Sequence, residues 1–165
     1  MLDENILEEL EILYSNIEDI EYVVVGGIAT ILYGVARVTQ DSDIVVSVKD
    51  INKFIDRMIL LKYTDIYDAK TKDYICKIDE IDYDFVSTYE GTLRFKSKNK
   101  ILWIDLMLPE TNLFFKMLYM YSIKVKVGNT YIRIANIDDL IRLKRQSDRA
   151  RDKEDALELI KLKQI

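Results

Sequence analysis

Two neighbouring stretches, Tyr22-Val23-Val24-Val25-Gly26-Gly27-Ile28-Ala29 and Arg37-Val38-Thr39-Gln40-Asp41-Ser42-Asp43, decide how this chain is read. The first is a short run of β-branched and aromatic residues halted by two glycines, after which Ile28, Ala29, Ile31 and Leu32 recur at helical spacing up to Gly34. The order is therefore strand, glycine turn, short helix. The second stretch leads into another strand, expected over about Asp43 to Val48. If it is extended, residues two apart share a face, so Arg37, Thr39, Asp41 and Asp43 line one side while Ile44, Val46 and Val48 line the other. Two carboxylates about 7 Å apart along a strand can converge on one small volume, and their mutual repulsion favours a bound divalent cation. All-oxygen ligands indicate Mg²⁺ or Mn²⁺.

The glycine turn complements that pair. Gly26 and Gly27 carry no side chain to block close approach, and the helix start offers free backbone N–H groups to an anion. A polyphosphate would fit between turn and metal. Taken singly, a Gly-Gly pair is a tight turn and an Asp-x-Asp pair a solvated strand end; their succession in this order carries the signal. Other phosphate and metal motifs fail on spacing. There is no Gly-x-x-x-x-Gly-Lys loop and no Gly-x-Gly-x-x-Gly, and a calcium loop begun at Asp41 would place Val46 and Asn52 where glycine and glutamate are needed.

Outward from this centre, Leu2 to Ile17 reads as an amphipathic helix and Ile51 to Leu61 as a second, with Asp50 as N-cap. Between Tyr63 and Lys100 strands are expected around Tyr74 to Ile78, Tyr83 to Ser87 and Leu93 to Phe95. Ile101 to Leu108 reads as a strand and Thr111 to Tyr121 as a helix. A hairpin of Ile123 to Val127 and Tyr131 to Ile134 follows, turning at Gly128-Asn129. Two helices, about Ile137 to Ser147 and Arg149 to Lys163, close the chain. The expected fold class is α+β, a mixed sheet flanked by helices with a C-terminal helical portion.

The 165 residues, 49% hydrophobic and 32% charged with one proline, suit one compact domain. No stretch nears the roughly 20 apolar residues of a membrane span, and Met1 opens onto Asp3 and Glu4 rather than a signal segment, so a soluble cytoplasmic protein with no membrane partner is expected. The absence of histidine excludes serine–histidine–acid triads and histidine-bearing zinc sites. Cys76 is the only cysteine, which removes disulfides within the chain and thiolate clusters. A net charge of −5 argues against binding nucleic acid through overall charge, but the charge is uneven: the first 21 residues hold eight acids and no base, whereas Arg142 to Lys153 holds six bases and two acids.

A third carboxylate is wanted beside Asp41 and Asp43. Asp105 is a lone charge inside the apolar run Ile101-Leu102-Trp103-Ile104-Asp105-Leu106-Met107, where it must be paired with a cation or bind metal. Asp84, in Asp82-x-Asp84, is the rival, without a glycine turn before it. In the C-terminal helices Lys144, Arg149, Asp152 and Asp155 read first as a solvated face crossed by ion pairs. Lys144, set among Leu140, Ile141 and Leu143, is the cation expected to reach a phosphate.

With Gly26-Gly27, Arg37 to Asp43, Ile104-Asp105-Leu106 and the segment from Asp138 through Lys144, Arg149, Asp152 and Asp155, the chain resembles the nucleotidyltransferase superfamily with the DNA polymerase β type of catalytic domain. The similarity is closest to its small prokaryotic branch that includes abortive-infection toxins. The ordered set spans Tyr22 to about Leu159, with Tyr63 to Lys100 poorly aligned. It departs from many members at Gly27, where a serine would contact phosphate.

The resemblance implies a single nucleotidyltransferase-like domain over 1–165, with a catalytic core at about 20–135 and C-terminal helices at about 136–163. It implies Asp41, Asp43 and Asp105 as catalytic residues and as ligands of Mg²⁺ or Mn²⁺, and Gly26, Gly27, Arg37, Thr39, Lys144 and Arg149 as nucleotide-binding residues. The implied activity moves NMP from an NTP such as ATP to a hydroxyl on RNA, protein or a small molecule, with release of pyrophosphate. The alternative is a catalytically silent NTP-binding or partner-binding module, paired with an antitoxin-type protein. The basic stretch Arg94, Lys96, Lys98 and Lys100 reads either as an RNA contact or as a solvated hairpin tip.

Overall fold

The computed structural model describes residues 2–165. Helix α1 (Glu4–Ser15) is followed by β1 (Tyr22–Val25), α2 (Gly26–Leu32), β2 (Asp41–Val46), α3 (Ile51–Leu60), β3 (Asp65–Asp68), β4 (Tyr74–Lys77) and α4 (Tyr83–Thr88). Then come β5 (Leu93–Lys96), β6 (Trp103–Met107), α5 (Asn112–Met120), β7 (Ile123–Val127), β8 (Thr130–Ile134), α6 (Ile137–Arg145) and α7 (Ala150–Lys163). The fold is α+β: one mixed eight-stranded sheet, order β4-β3-β5-β6-β2-β1-β8-β7, with flanking helices and a closing helical pair. Among the described residues no helix is long and apolar enough to cross a membrane.

The centre of the sheet is where the sequence pattern is strongest. All four residues of β1 are buried, and β2 pairs antiparallel with β1 and parallel with β6. A strand buried on both faces reads as an unbroken apolar run, as Tyr22 to Val25 does. Helix α3 turns Ile51, Phe54, Ile55 and Met58 inward, and Phe54 meets Phe95 of β5 edge to face at 5.8 Å between ring centres.

Two expectations for the middle of the chain are corrected. Tyr83 to Ser87 is not a strand but lies in helix α4. Asp82 caps it, its side chain accepting from Phe85 N at 2.9 Å, and Asn52 Oδ1 accepts from Tyr83 N at 2.8 Å. These contacts satisfy N–H groups that a helix start leaves open, and they override the strand preference of Tyr, Phe and Val. Conversely, Asp65-Ile66-Tyr67-Asp68 forms β3, a strand not anticipated because two of its four residues are acidic. Pairing with β4 on one edge and β5 on the other holds it extended. Strand β2 also starts two residues earlier than expected, at Asp41, so both carboxylates of the Asp-x-Asp pair lie within it.

Ser42, between those carboxylates, points to the opposite face and is fully buried. Its Oγ lies 2.7 Å from Tyr14 Oη of α1, which fastens the middle of β2 from behind. Tyr14→Phe leaves Ser42 Oγ without that partner in the core and is expected to cost roughly 1–3 kcal/mol in chemical denaturation. An unchanged unfolding midpoint would show that this bond does not anchor the strand.

Candidate active site

Register brings the acids together. Asp43 lies directly opposite Asp105 across the parallel β2/β6 pair, and Asp41 is two residues away on the same face of β2. One carboxylate oxygen from each of Asp41, Asp43 and Asp105 falls within 4.8 Å of the others. Asp84, the rival third carboxylate, is exposed on α4 and outside this group. Three hard oxygen donors converging on one point suit a Mg²⁺ or Mn²⁺ ion.

Crowding and burial raise the cost of charge here. Burial, with the charges of Asp105 and Asp41 behind it, pushes the Asp43 carboxyl up to about 7. Burial also raises Asp105, against the lowering effect of Arg94. That arginine lies opposite Asp105 in the β5/β6 register and is buried. Its Nε donates to Asp105 Oδ1 and its Nη2 to Asp105 Oδ2, each at 2.8 Å, and Nη2 reaches Asp41 Oδ2 at 3.4 Å. The bidentate pair fixes the plane of the Asp105 carboxylate while using one lone pair of each oxygen. Thr39 Oγ1 donates to Asp41 Oδ1 at 3.0 Å and orients the second acid from the other side.

The glycine turn packs onto these groups. Gly26 has φ +68°, and a Cβ there would stand 2.0 Å from Asp43 Oδ2, so neither its backbone conformation nor its surroundings admit a side chain. At Gly27 a Cβ would come within 3.1 Å of Thr39 Oγ1 and 3.2 Å of the Arg37 guanidinium carbon. Arg37 and Thr39 thus occupy the space into which a serine at position 27 would project.

The C-terminal helices close the site with a buried ion network. Lys144 Nζ of α6 donates to Asp152 Oδ1 at 2.9 Å and Asp155 Oδ2 at 3.0 Å, both on α7. Asp155 also accepts from Arg37, and Asp152 accepts from Arg149 Nε at 2.9 Å and Ser147 Oγ at 2.5 Å. Burial pushes Asp152 up, but hydrogen bonds from Arg149, Ser147 and Lys144 outweigh it and hold the carboxyl well below its usual range. The expectation of a solvated face is therefore corrected for Lys144, Asp152 and Asp155, which are buried. Lys144 is not a free cation: two carboxylates hold it, because a buried ammonium needs compensating charge. Arg37 Nε is buried without a hydrogen-bond partner.

Two clefts meet at Asp43. One, of about 260 Å³, is lined by Gly27, Arg37, Thr39, Asp41, Lys144 and Arg149 and is strongly basic on one wall. The other, of about 850 Å³, runs between α5 and α6, with Met107, Leu108, Phe114, Met117 and Leu143 forming an apolar wall and Glu110, Arg142 and Arg149 among its polar lining. Arg94 and Arg151, which also bear on the site, were not predicted from sequence. The lone acid of β6 implied a partner, but only strand register shows that it is Arg94.

No protein-family model matches the chain, and no curated protein matches it by sequence. Its fold does match solved structures. With the lincomycin-bound lincosamide antibiotic adenylyltransferase LnuA it shares 14% identity over 98% of both chains, at a TM-score of 0.62. A protein from Thermotoga maritima described as a nucleotidyltransferase matches at 11% identity and a TM-score of 0.60, over 98% of this chain and 96% of that one. An antigenic nucleotidyltransferase-like protein from Paracoccidioides brasiliensis matches at 13% identity and 0.58, over 97% of this chain and 76% of the other. The chain shares the fold of these nucleotidyltransferases over 97–98% of its length.

The raised Asp43 carboxyl sets a pH dependence. Between 3.8 and about 7 the folded, metal-free chain holds a proton that the unfolded chain has released, so its stability falls as pH rises across that range and stays lowered above it. Asp43→Asn removes this penalty and is expected to stabilise the metal-free protein by roughly 1–3 kcal/mol at about pH 8, with little effect near pH 4. The same change is expected to remove most of the stabilisation that Mn²⁺ gives the wild type. Thermal melts with and without Mn²⁺ test both points, and a metal-induced shift that survives the substitution would count against a metal held by Asp43.

Proposed function

We propose that the protein is a metal-dependent nucleotidyltransferase that transfers NMP from an NTP to an acceptor hydroxyl with release of pyrophosphate. The observation that carries this reading is the convergence of Asp41, Asp43 and Asp105 within 4.8 Å on two adjacent parallel strands, with a basic cleft on one side. Asp41 and Asp43 would hold the metal, with Asp105 completing the set. When bound, Mg²⁺ or Mn²⁺ supplies charge neutralisation for the triphosphate and acidifies the attacking hydroxyl.

The chain's own groups account for the rest. Arg37 and Arg149 line the basic cleft, where their guanidinium groups would meet phosphate oxygens. Lys144 adds positive potential from its place between Asp152 and Asp155. The larger cleft beside Asp43 receives the base and ribose against its apolar wall. Arg94 holds Asp105 in one plane, leaving a lone pair on each oxygen to take the hydroxyl proton. The hydroxyl oxygen bonds the α-phosphorus as the bond to the bridging oxygen breaks, and pyrophosphate leaves into the basic cleft. Membership of the toxin-containing branch rests on the resemblance of the segment from Asp138-Asp139-Leu140-Ile141 through Lys144, Arg149, Asp152 and Asp155 alone.

One observation favours the silent-module reading: Arg94 already neutralises Asp105 and reaches Asp41, and a buried cation among the carboxylates can stabilise the fold without any metal. Label transfer separates the two. The protein, each α-labelled NTP, Mg²⁺ or Mn²⁺ and separate pools of RNA, protein and small molecules are expected to give one labelled pool. Asp43→Asn or Asp105→Asn should lower the rate by roughly 100-fold or more, the scale of losing one preorganised electrostatic group. No transfer from any NTP with either metal would establish the module instead.

A further inference from the structure

The face of the sheet that carries the three carboxylates continues across β6, β5 and β3 as a row of alternating rings and cations. Arg94 Cζ lies 4.8 Å from the centre of the Trp103 ring, Lys96 Nζ lies 4.5 Å from that ring and 4.7 Å from the Tyr67 ring, and Tyr67 meets Tyr74 at 5.4 Å. The row begins at the guanidinium that grips Asp105. Its residues belong together by register: Arg94 pairs with Tyr67 on one side and Asp105 on the other, while Tyr67 pairs with Tyr74. The opposite face of the same strands is core, with Ile66, Phe95 and Ile104 fully buried. On the front, Tyr67, Lys96 and Trp103 are half-buried and Tyr74 is 51% exposed.

Charge on this half of the face is unbalanced. Among the described residues Lys96 of β5, and Lys98 and Lys100 in the turn after it, make no ion pair, while Asp65, opposite Lys96 in the β3/β5 register, is already held by Lys77 at 2.6 Å. The chain is acidic overall, at −5, so this surplus is local.

Direction follows from the chemistry. Displacement at phosphorus sets the nucleophile opposite the leaving group. Arg37, Lys144 and Arg149, suited to the departing pyrophosphate, lie on the α2, α6 and α7 side of the carboxylates. The acceptor must then approach from the Asp105 side, where the row of rings and cations begins. An open row of this kind differs from the concave apolar pocket that encloses a small molecule. It matches the alternation of bases and phosphates in an unpaired strand, with rings for stacking and ammonium groups for the backbone.

Resting on the nucleotidyl-transfer reading above, we propose that the β3–β5–β6 half of this face is the acceptor site and that the acceptor is the 3′ end of a single-stranded RNA. Its backbone runs along Lys96 and Lys98, its bases lie against Tyr67 and Tyr74, and its terminal ribose hydroxyl reaches Asp105. That hydroxyl oxygen forms the new bond to the α-phosphorus, the bond to the bridging oxygen breaks, pyrophosphate leaves with the electron pair, and the proton passes to the Asp105 carboxylate.

Binding can be read without catalysis, from the fluorescence anisotropy of a 5′-labelled single-stranded oligoribonucleotide added to the full-length protein without NTP over a range of KCl. The wild type is expected to bind with an affinity that falls as salt rises. Tyr67→Ala is expected to weaken binding about tenfold, as loss of one stacking ring does. Lys96→Gln should weaken it and flatten the logarithmic salt dependence by about one, a change that loss of folding would not produce. Tyr131→Ala, at an exposed tyrosine on β8, should leave binding unchanged. Binding indifferent to Tyr67 and Lys96, or label entering only the protein or small-molecule pool, would overturn the proposal. RNA bound through these residues, with no NMP transfer to any pool, would instead bring down the transfer reading and leave an RNA-binding surface.

Discussion

Three carboxylates within 4.8 Å of one another, two of them on one strand, are the constraint around which the rest of this structure is arranged. Like charges at that distance in a half-buried place raise one another's pKa and oppose folding unless cations intervene. The chain meets this with Arg94 on the β5 side, which grips Asp105 through two hydrogen bonds and reaches Asp41. On the other side it sets Arg37, Lys144 and Arg149, and holds them with Asp152 and Asp155. The relief is partial, since Asp43 remains raised to about 7. An arrangement this costly is a familiar mark of a site built for a ligand.

Several features distant in sequence follow from the same requirement. Gly26 is where the turn must pass within touching distance of Asp43, and its positive φ and the 2.0 Å approach exclude a side chain. Ser42 alternates to the far face and is fastened by Tyr14, so the strand that bears two acids is anchored from its apolar side. The parallel β2/β6 pairing sets Asp43 against Asp105, and β1 on the other edge of β2 delivers the glycine turn. The sheet order thus separates the basic cleft, at α2, α6 and α7, from the ring-and-cation side at β6, β5 and β3.

Much of this was legible from the residues, for identifiable reasons. Tyr22 to Val25, stopped by two glycines, is a local signal, and so is the alternation that sets Asp41 and Asp43 on one face. Asp105 stood out because a lone charge in an apolar strand demands a partner. What was not legible depended on tertiary pairing. Asp65 to Asp68 became a strand only because two neighbours hold it, and Tyr83 to Ser87 became part of a helix because Asp82 and Asn52 cap its start. Arg94 lies 11 residues before Asp105, a separation that suggests nothing until the β5/β6 register is known. Lys144 read as a cation aimed outward, whereas the spacing of Asp152 and Asp155 on the next helix turns it into the centre of a buried network.

The central claim, that the three carboxylates form a metal site serving a triphosphate, is tested most directly by anomalous diffraction. The experiment uses crystals grown with Mn²⁺ and an NTP analogue that resists cleavage at the α-phosphorus. The account predicts anomalous density between Asp41, Asp43 and Asp105, with the triphosphate lying toward Arg37 and Arg149. Manganese found elsewhere, with Arg94 still the only cation among the carboxylates and the analogue absent from the basic cleft, would contradict it.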